Sequence, residues 1–591
     1  MTAEELRRRI LDVTLANGGH LASSLGAVEI ALALHDVFDA TRDRIVWDVG
    51  HQAYAWKILT GRDGSFDTLR QFGGLSGFPN PKESSADAAV AGHAGVAISV
   101  AEGMAAAHER RGDGVNVVAV VGDAAIVNGT SFEALNNCVT ACGKVIVVLN
   151  DNEMSISRPT GALARMFGRL VTGVRYNRVK LAAENAGHRL KLTFLRGIYH
   201  RLESRIKGLF VGSAFFERFG LRYIGPVDGH DLAALKRALS VAKADKRSVL
   251  VHVVTKKGRG YVPAEKNPTK WHGIGPQKKD GAAKPSRTWS DAFGEALAEF
   301  ARADDRVVAI TAGMKTGVGL QDFAAEFPQR FFDTGIAEGH AVSFAAGLAA
   351  GGMRPVFAVY STFLQRAVDQ VMHDVCISNL PVVFCVDRAG IVGSDGVTHQ
   401  GLYDFAMLRC LPNLTICQPK DEADLKALLA EALKRPGPTV VRYPRGALPS
   451  ALPAAPSGDG KVALWTTGDW YAKACAVAER IGADVVHARY LKPFDRELLA
   501  RQKAAGMRIV SLENGTVAGG LGEAIGAETR LGWPDAFVPH GTVGELERAY
   551  GLDVDSIVSR LDEVKIPERQ QKELGLLNGK ILEALDEVRG R

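Results

Sequence analysis

Short runs of consecutive aliphatic and β-branched residues alternate along the chain with longer stretches whose apolar positions recur at helical spacing. The runs cover residues 115–121, 144–150, 249–255, 307–311, 356–359, 382–386, 463–466 and 508–512. Apolar runs of this length bounded by polar turns read as strands, and their alternation with helical segments predicts parallel α/β layers. Residues 263–287 and 446–460, the latter reading GALPSALPAAPSGDG, dilute the periodicity with Pro, Gly and small residues and read as linkers. They divide the chain into three doubly wound α/β domains, at 1–265, 288–446 and 461–591. Within the first, residues 158–209 hold no clear strand and are rich in Arg, Lys and Gly, which predicts a mobile helical insertion able to cover a site. No short-period repeat is present, so solenoids and propellers drop out.

Composition narrows the function classes. The 591 residues are 46% apolar and 23% charged, as in an ordinary globular protein. Lys and Arg number 72 against 66 Asp and Glu, a balance of +6 that makes nucleic acid an unexpected partner while leaving a local basic pocket for phosphate open. The seven cysteines are scattered without a CxxC pair, which predicts a reduced, cytoplasmic protein. The N-terminus opens as a charged helix without a signal-peptide core, and no run reaches the ~18 apolar residues of a membrane span, so neither secretion nor a membrane partner is expected.

The most informative local pattern is Gly122-Asp123-Ala124 at the end of one apolar run and Asn150-Asp151-Asn152 at the end of the next, with Asp123 and Asn152 separated by 152 − 123 = 29 positions. In a doubly wound sheet, ligands bind beyond the carboxyl ends of strands, so adjacent ends can offer Asp and Asn oxygens to one hard cation such as Mg²⁺ carrying a diphosphate. Taken alone, both tripeptides are equally ordinary strand-to-loop turns.

Longer segments decide between these. The spacing resembles the signature of thiamine-diphosphate enzymes, Gly-Asp-Gly followed at a distance by Asn. Over most of its length the chain is similar to the 1-deoxy-D-xylulose-5-phosphate synthase family: GGHLASSLGAVE from Gly18, WDVGHQAYAWKILTGR from Trp47, NDNEMSIS from Asn150, GPVDGHD from Gly225, TKKGRGYVPAEK from Thr255, FFDTGIAEGHAVSFAAGLA from Phe331, VYSTFLQRAVDQVMHDV from Val359, DRAGIVGSDGVTHQG from Asp387 and RYPRG from Arg442. The resemblance implies a transketolase-like architecture, a homodimer, and thiamine diphosphate with Mg²⁺ as cofactors. It also implies the decarboxylative condensation of pyruvate with D-glyceraldehyde 3-phosphate to 1-deoxy-D-xylulose 5-phosphate, which feeds isoprenoid, thiamine and pyridoxal synthesis.

Carried onto this chain, Glu338 takes the place of the Glu that hydrogen-bonds the aminopyrimidine and promotes loss of the C2 proton. Asp123 and Asn152 become side-chain ligands of Mg²⁺, with the backbone carbonyl of Met154 as a third. His51, Gly92, His93, Ala94, Gly122, Ala124, Ala125, Tyr261 and Phe363 fall at cofactor contacts, Phe363 stacking on the pyrimidine and the Ala124 N–H facing the diphosphate. His20, His51, His272 and His399 fall near the reacting carbon, where proton transfers need groups titrating close to neutrality. Tyr360, Arg388, Asp395 and Arg445 fall where the family holds the phosphorylated acceptor, and guanidinium forks suit a phosphate.

The chain departs from the family pattern in four places. Ala124 replaces the last Gly of Gly-Asp-Gly, Ala94 replaces Ser in Gly-His-Ser, Gly339 replaces Gln after Glu338, and GGHL begins at Gly18, which implies a shorter N-terminal segment. The lost hydroxyl at position 94 predicts weaker cofactor binding, since a hydrogen bond to a charged group contributes about 1.5–3 kcal/mol. Two alternatives stay open at this point: a paralogous enzyme of the same cofactor with another donor or acceptor, and a catalytically weak cofactor-binding protein acting through interaction.

Overall fold

Continuous apolar runs become the inner strands of three sheets in the computed structural model, which describes residues 1–152, 211–277 and 286–563. The first sheet comprises β1 (Arg44–Trp47), β2 (Val117–Gly122), β3 (Ile146–Asp151), β4 (Arg222–Asp228) and β5 (Val249–Val254), ordered β1-β2-β3-β5-β4 and parallel throughout. Every residue of 117–121 and 146–151 is buried, because helices cover both faces of a parallel sheet. One such helix, Ala3–Asn17, starts at a capping box in which the Thr2 hydroxyl accepts the Glu5 N–H and the Glu5 carboxylate accepts the Thr2 N–H.

The second sheet takes β6 (Val307–Thr311), β7 (Phe331–Asp333), β8 (Arg354–Tyr360), β9 (Val383–Asp387), β10 (Thr415–Cys417) and β11 (Thr439–Tyr443). Here β7 pairs on one side of β6 and β8 on the other. The chain reverses direction across the sheet at that point, and such a reversal opens a crevice at the strands' carboxyl ends. The remaining strands are β12 (Val462–Thr466), β13 (Asp484–His487), β14 (Tyr490–Lys492), β15 (Arg508–Thr516) and β16 (Thr529–Trp533). The third sheet is ordered β13-β12-β15-β16, while β14 crosses over to pair antiparallel with β10 at the edge of the second.

Over its described residues 263–277, the segment expected to be a linker at 263–287 is more ordered than its composition suggests. It opens within the helix Val262–Lys266, and Ile274 forms a bridge with Gly19 that ties it to the first block. The expected insertion at 158–209 and Met154 lie outside the described residues. Among the described residues all seven cysteines are free, and no helix is long and apolar enough to cross a membrane.

Candidate functional site

Where β2 ends, Gly122 leads into Asp123; where β3 ends, Asn150, in register opposite Gly122, leads to Asn152. Asp123 is buried. Its Oδ1 accepts the N–H of Ala124 at 2.9 Å, so that N–H, expected to face a diphosphate, is turned onto the carboxylate. The N–H of Asn152 also reaches the carboxylate, whereas Oδ2 is buried without a hydrogen-bond partner. Desolvation and then the adjacent Asp151 push the Asp123 carboxyl up to about 7. A cation at Oδ2 would relieve both costs, so the observed residues fit a divalent ion. Among the described residues no group of three or more His, Cys, Asp or Glu is placed to hold a metal.

Support for this corner comes from behind it. His252 Nε2 lies 2.9 Å from Asp151 Oδ2, and its Nδ1 lies 2.7 Å from the Tyr223 hydroxyl. Lys257 is buried beside Asp123, and desolvation brings its ammonium down to about 8 against the opposing pull of that carboxylate.

Next to Lys257, the rings of His20, His51 and His272 gather with centroids 5.3–6.0 Å apart. Desolvation lowers all three, His20 to about 3, so each is neutral at pH 7 and offers one donor and one acceptor nitrogen. Nδ1 of His20 and Nδ1 of His51 are buried without partners, which leaves them available to a ligand. Tyr261 joins this group indirectly, packing edge-on at 5.1 Å against Trp271, the neighbour of His272.

The second sheet closes onto this edge. His93 Nε2 lies 2.8 Å from Thr362 Oγ1 and 3.1 Å from the Thr398 carbonyl, and Phe78 stacks on His399 at 4.9 Å. Desolvation lowers both His93 and His399 to about 4. Phe363, in the turn after β8, meets His93 at 5.0 Å, His399 at 5.7 Å and Tyr360 at 5.7 Å. Gly92 is required where it stands, because a Cβ there would lie 2.3 Å from the Thr398 Cβ. Ala94 is buried and its carbonyl accepts from Arg366. Ala125 is a core residue whose carbonyl accepts the Ser131 hydroxyl at 2.9 Å.

Glu338 begins the helix Glu338–Ala350 after β7 and is buried. Desolvation raises its carboxyl, which Arg366 at 3.7 Å opposes. Two bonds tie its surroundings to the first sheet: Arg366 to Ala94, and Asn128 Nδ2 to the Ile336 carbonyl at 2.7 Å. The structure therefore brings the turn before Glu338 against the loop that follows Asp123.

Adjoining Phe363 is a basic pocket. The Arg388 guanidinium sits 3.6 Å over the Tyr360 ring centroid, on a backbone at φ 61° that non-glycine residues adopt at a cost. Arg445 stands 3.7 Å from Asp395 with its side chain 43% exposed, at the rim. Asp395 has a closer partner that the sequence reading missed, Arg70 Nη1 at 2.8 Å. Desolvation alone would raise the Asp395 carboxyl; Arg70, with His399, His20 and Arg445, holds it below the usual carboxylate range. Arg70 and Arg445 beside Asp395, with Arg388 close to Arg445, leave the pocket net positive, which suits a phosphate. Lys257 and Arg366, also missed, sit inside the runs TKKGRGYVPAEK and VYSTFLQRAVDQVMHDV; Arg70 and Phe78 lie in a loop with no pattern of its own.

Comparison with known proteins sets these features in a family. A family model described as 1-deoxy-D-xylulose-5-phosphate synthase matches residues 1–255, one described as transketolase, pyrimidine binding domain matches 286–450, and one described as transketolase, C-terminal domain matches 459–557. The 1-deoxy-D-xylulose-5-phosphate synthase 1 of Geobacter metallireducens is 47% identical over 606 residues, covering 95% of each chain. The 1-deoxy-D-xylulose-5-phosphate synthase of Desulforudis audaxviator is 47% identical over 596 residues, covering 95% of this chain and 94% of its own. The chain belongs to the 1-deoxy-D-xylulose-5-phosphate synthase family. Among solved structures, the transketolase of Leishmania mexicana covers 96% of this chain and 98% of its own at 19% identity and a TM-score of 0.44. The family's first matched segment contains β1–β5 and the second β6–β11. The third contains β12–β16, including the strand that crosses into the second sheet.

Proposed function

We propose that this protein joins pyruvate to D-glyceraldehyde 3-phosphate, with thiamine diphosphate and Mg²⁺ as cofactors. The C1–C2 bond of pyruvate breaks, CO₂ leaves, C2 bonds to the aldehyde carbon and the aldehyde oxygen takes up one proton, giving 1-deoxy-D-xylulose 5-phosphate. The observation that carries this reading is that the carboxyl ends of the first and second sheets meet through His93–Thr362 and Asn128–Ile336, with Asp123, Phe363 and Glu338 at the junction and the arginine pocket beside it. Family membership favours it over a paralogue with another donor or acceptor and over a weak binding protein.

Thiamine diphosphate, when bound, supplies a carbon nucleophile and an electron sink for the decarboxylation. Asp123 and Asn152 would hold the Mg²⁺ that neutralises a diphosphate, and Phe363 would offer an aromatic face to the pyrimidine. Glu338 is the carboxyl placed to exchange a proton with the aminopyrimidine; burial raises it and Arg366 opposes that rise. The neutral histidines His20, His51, His272 and His399 donate and accept around the reacting carbonyl without bringing charge into the pocket. Arg388, Arg445 and Tyr360 hold the acceptor, with Asp395 setting the arginines' spacing. A homodimer and a cytoplasmic location complete the reading. The family resemblance supports the first, and the free cysteines support the second.

Incubating the protein with thiamine diphosphate, Mg²⁺ and pyruvate, with and without glyceraldehyde 3-phosphate, and weighing the products tests the reaction. The mass of 1-deoxy-D-xylulose 5-phosphate is expected only with both substrates, and its absence when cofactor is demonstrably bound would sink the proposal. Asp123→Ala tests the metal corner. Loss of one charge-assisted contact of about 1.5–3 kcal/mol should weaken Mg²⁺ and cofactor binding together, by about 10- to 150-fold, in titration calorimetry. Unchanged affinity would reduce Gly122-Asp123-Ala124 to a turn.

A further inference from the structure

Two residues of the proposed acceptor site, Arg388 and Asp395, lie with His399 on one loop, 388–401, which closes on itself through Gly390 and Gly401 at 2.6 and 2.8 Å. At its start the Ala389 N–H donates to the Tyr443 carbonyl of β11 at 3.0 Å, and beyond that point the loop meets the third sheet. Asn514, buried near the end of β15, accepts the Ile391 N–H at 3.0 Å and the Trp533 indole N–H at 2.9 Å on Oδ1, while its Nδ2 donates to Asp469 Oδ2 at 2.5 Å. With its amide plane fixed by Trp533 and Asp469, Asn514 presents one oxygen in one direction, and Ile391 is held there. Gly390 is pressed against the same amide at φ 84°, where a Cβ would lie 2.3 Å from Asn514 Nδ2.

A second contact lies further along. Gln400 Oε1 accepts the N–H groups of Val392 at 2.8 Å and Gly393 at 3.1 Å, and its Nε2 donates to the Pro539 carbonyl at 3.1 Å. The next residue of that segment, His540, reaches the other wall of the pocket: its Nε2 lies 3.0 Å from the Gly74 carbonyl, on the loop that carries Arg70. Elements that contribute no side chain to the pocket thus touch the loops that carry Arg388 and Arg70.

We propose that the third sheet fixes the phosphate end of the acceptor site, with Asn514 as the positioning residue for Arg388 and Asp395. The inference rests on the reading of the arginine pocket as the place of the acceptor phosphate. Because a misplacement of ~1 Å can cost ~100-fold, Asn514→Ala should raise the KM for glyceraldehyde 3-phosphate by about 10- to 100-fold. The KM for pyruvate and for unphosphorylated glyceraldehyde should change little, a split that general loss of stability does not produce.

Gly390→Ala disturbs the same contact from the loop side and should give the same split. The double variant should be no worse than Gly390→Ala alone, because the amide that the new methyl strikes is gone. A folded Asn514→Ala protein with an unchanged KM for glyceraldehyde 3-phosphate, or with equal losses for both aldehydes, overturns the proposal. If Asn514→Ala fails to fold, Gly390→Ala decides by the same two outcomes. Wild-type enzyme that uses both aldehydes with equal KM overturns the phosphate reading itself, and the proposal with it, before any variant is made.

Discussion

Glu338→Gln is expected to cut turnover by about 10²- to 10⁴-fold, the usual contribution of a positioned acid–base group, while thiamine diphosphate and Mg²⁺ still bind. Glutamine preserves the volume of the side chain at the start of its helix, so the packing that buries Glu338 among the turns after β7 and β8 is kept. What is lost is the ability to gain and release a proton. In the wild type, desolvation raises the carboxyl and Arg366 at 3.7 Å opposes that rise. An amide does not gain or release that proton. Deuterium exchange at C2 of the bound cofactor, followed by NMR alongside calorimetric titration, separates the two effects. Exchange at the wild-type rate with affinity intact would remove Glu338 from the reaction, and loss of affinity would assign it to binding instead.

How far the sequence reaches depends on whether the deciding contact is local. The buried inner strands are continuous in Val, Ile and Leu, and β6 falls on residues 307–311 as read. Edge strands escape that signal. β4 reads RYIGPVD and is half-buried along its whole length, and β7 is three residues long, so neither shows an apolar run. β14 is more elusive still, since it belongs by chain position to the third block and by pairing to the second sheet. The site divides in the same way. Asp123, Asn152 and Glu338 sit at strand ends where neighbouring residues mark the turn. Arg70 becomes meaningful only through Asp395, 395 − 70 = 325 positions away, and no local pattern marks an arginine whose partner is that distant. The same holds for Asn514, which looks like a strand residue until the fold sets it against Ile391.

Arg388→Ala and Arg445→Ala should each raise the KM for glyceraldehyde 3-phosphate by about 10- to 150-fold, the worth of one charge-assisted contact of about 1.5–3 kcal/mol, with the double variant worse than either. The two are not equivalent. Arg388 is held over Tyr360 at 3.6 Å on a strained backbone, so its guanidinium is preorganised and its loss removes a fixed donor. Arg445 is 43% exposed and only 3.7 Å from Asp395, an arrangement that adds little to stability, so its removal should leave melting unchanged while still weakening the acceptor. Arg70 remains in both variants and keeps Asp395 paired. Unphosphorylated glyceraldehyde is the control, because it carries no group for these arginines to hold and should respond little to either change. Equal losses with both aldehydes would assign the arginines to the fold, and a normal KM for the phosphorylated one in both variants would move the phosphate site elsewhere.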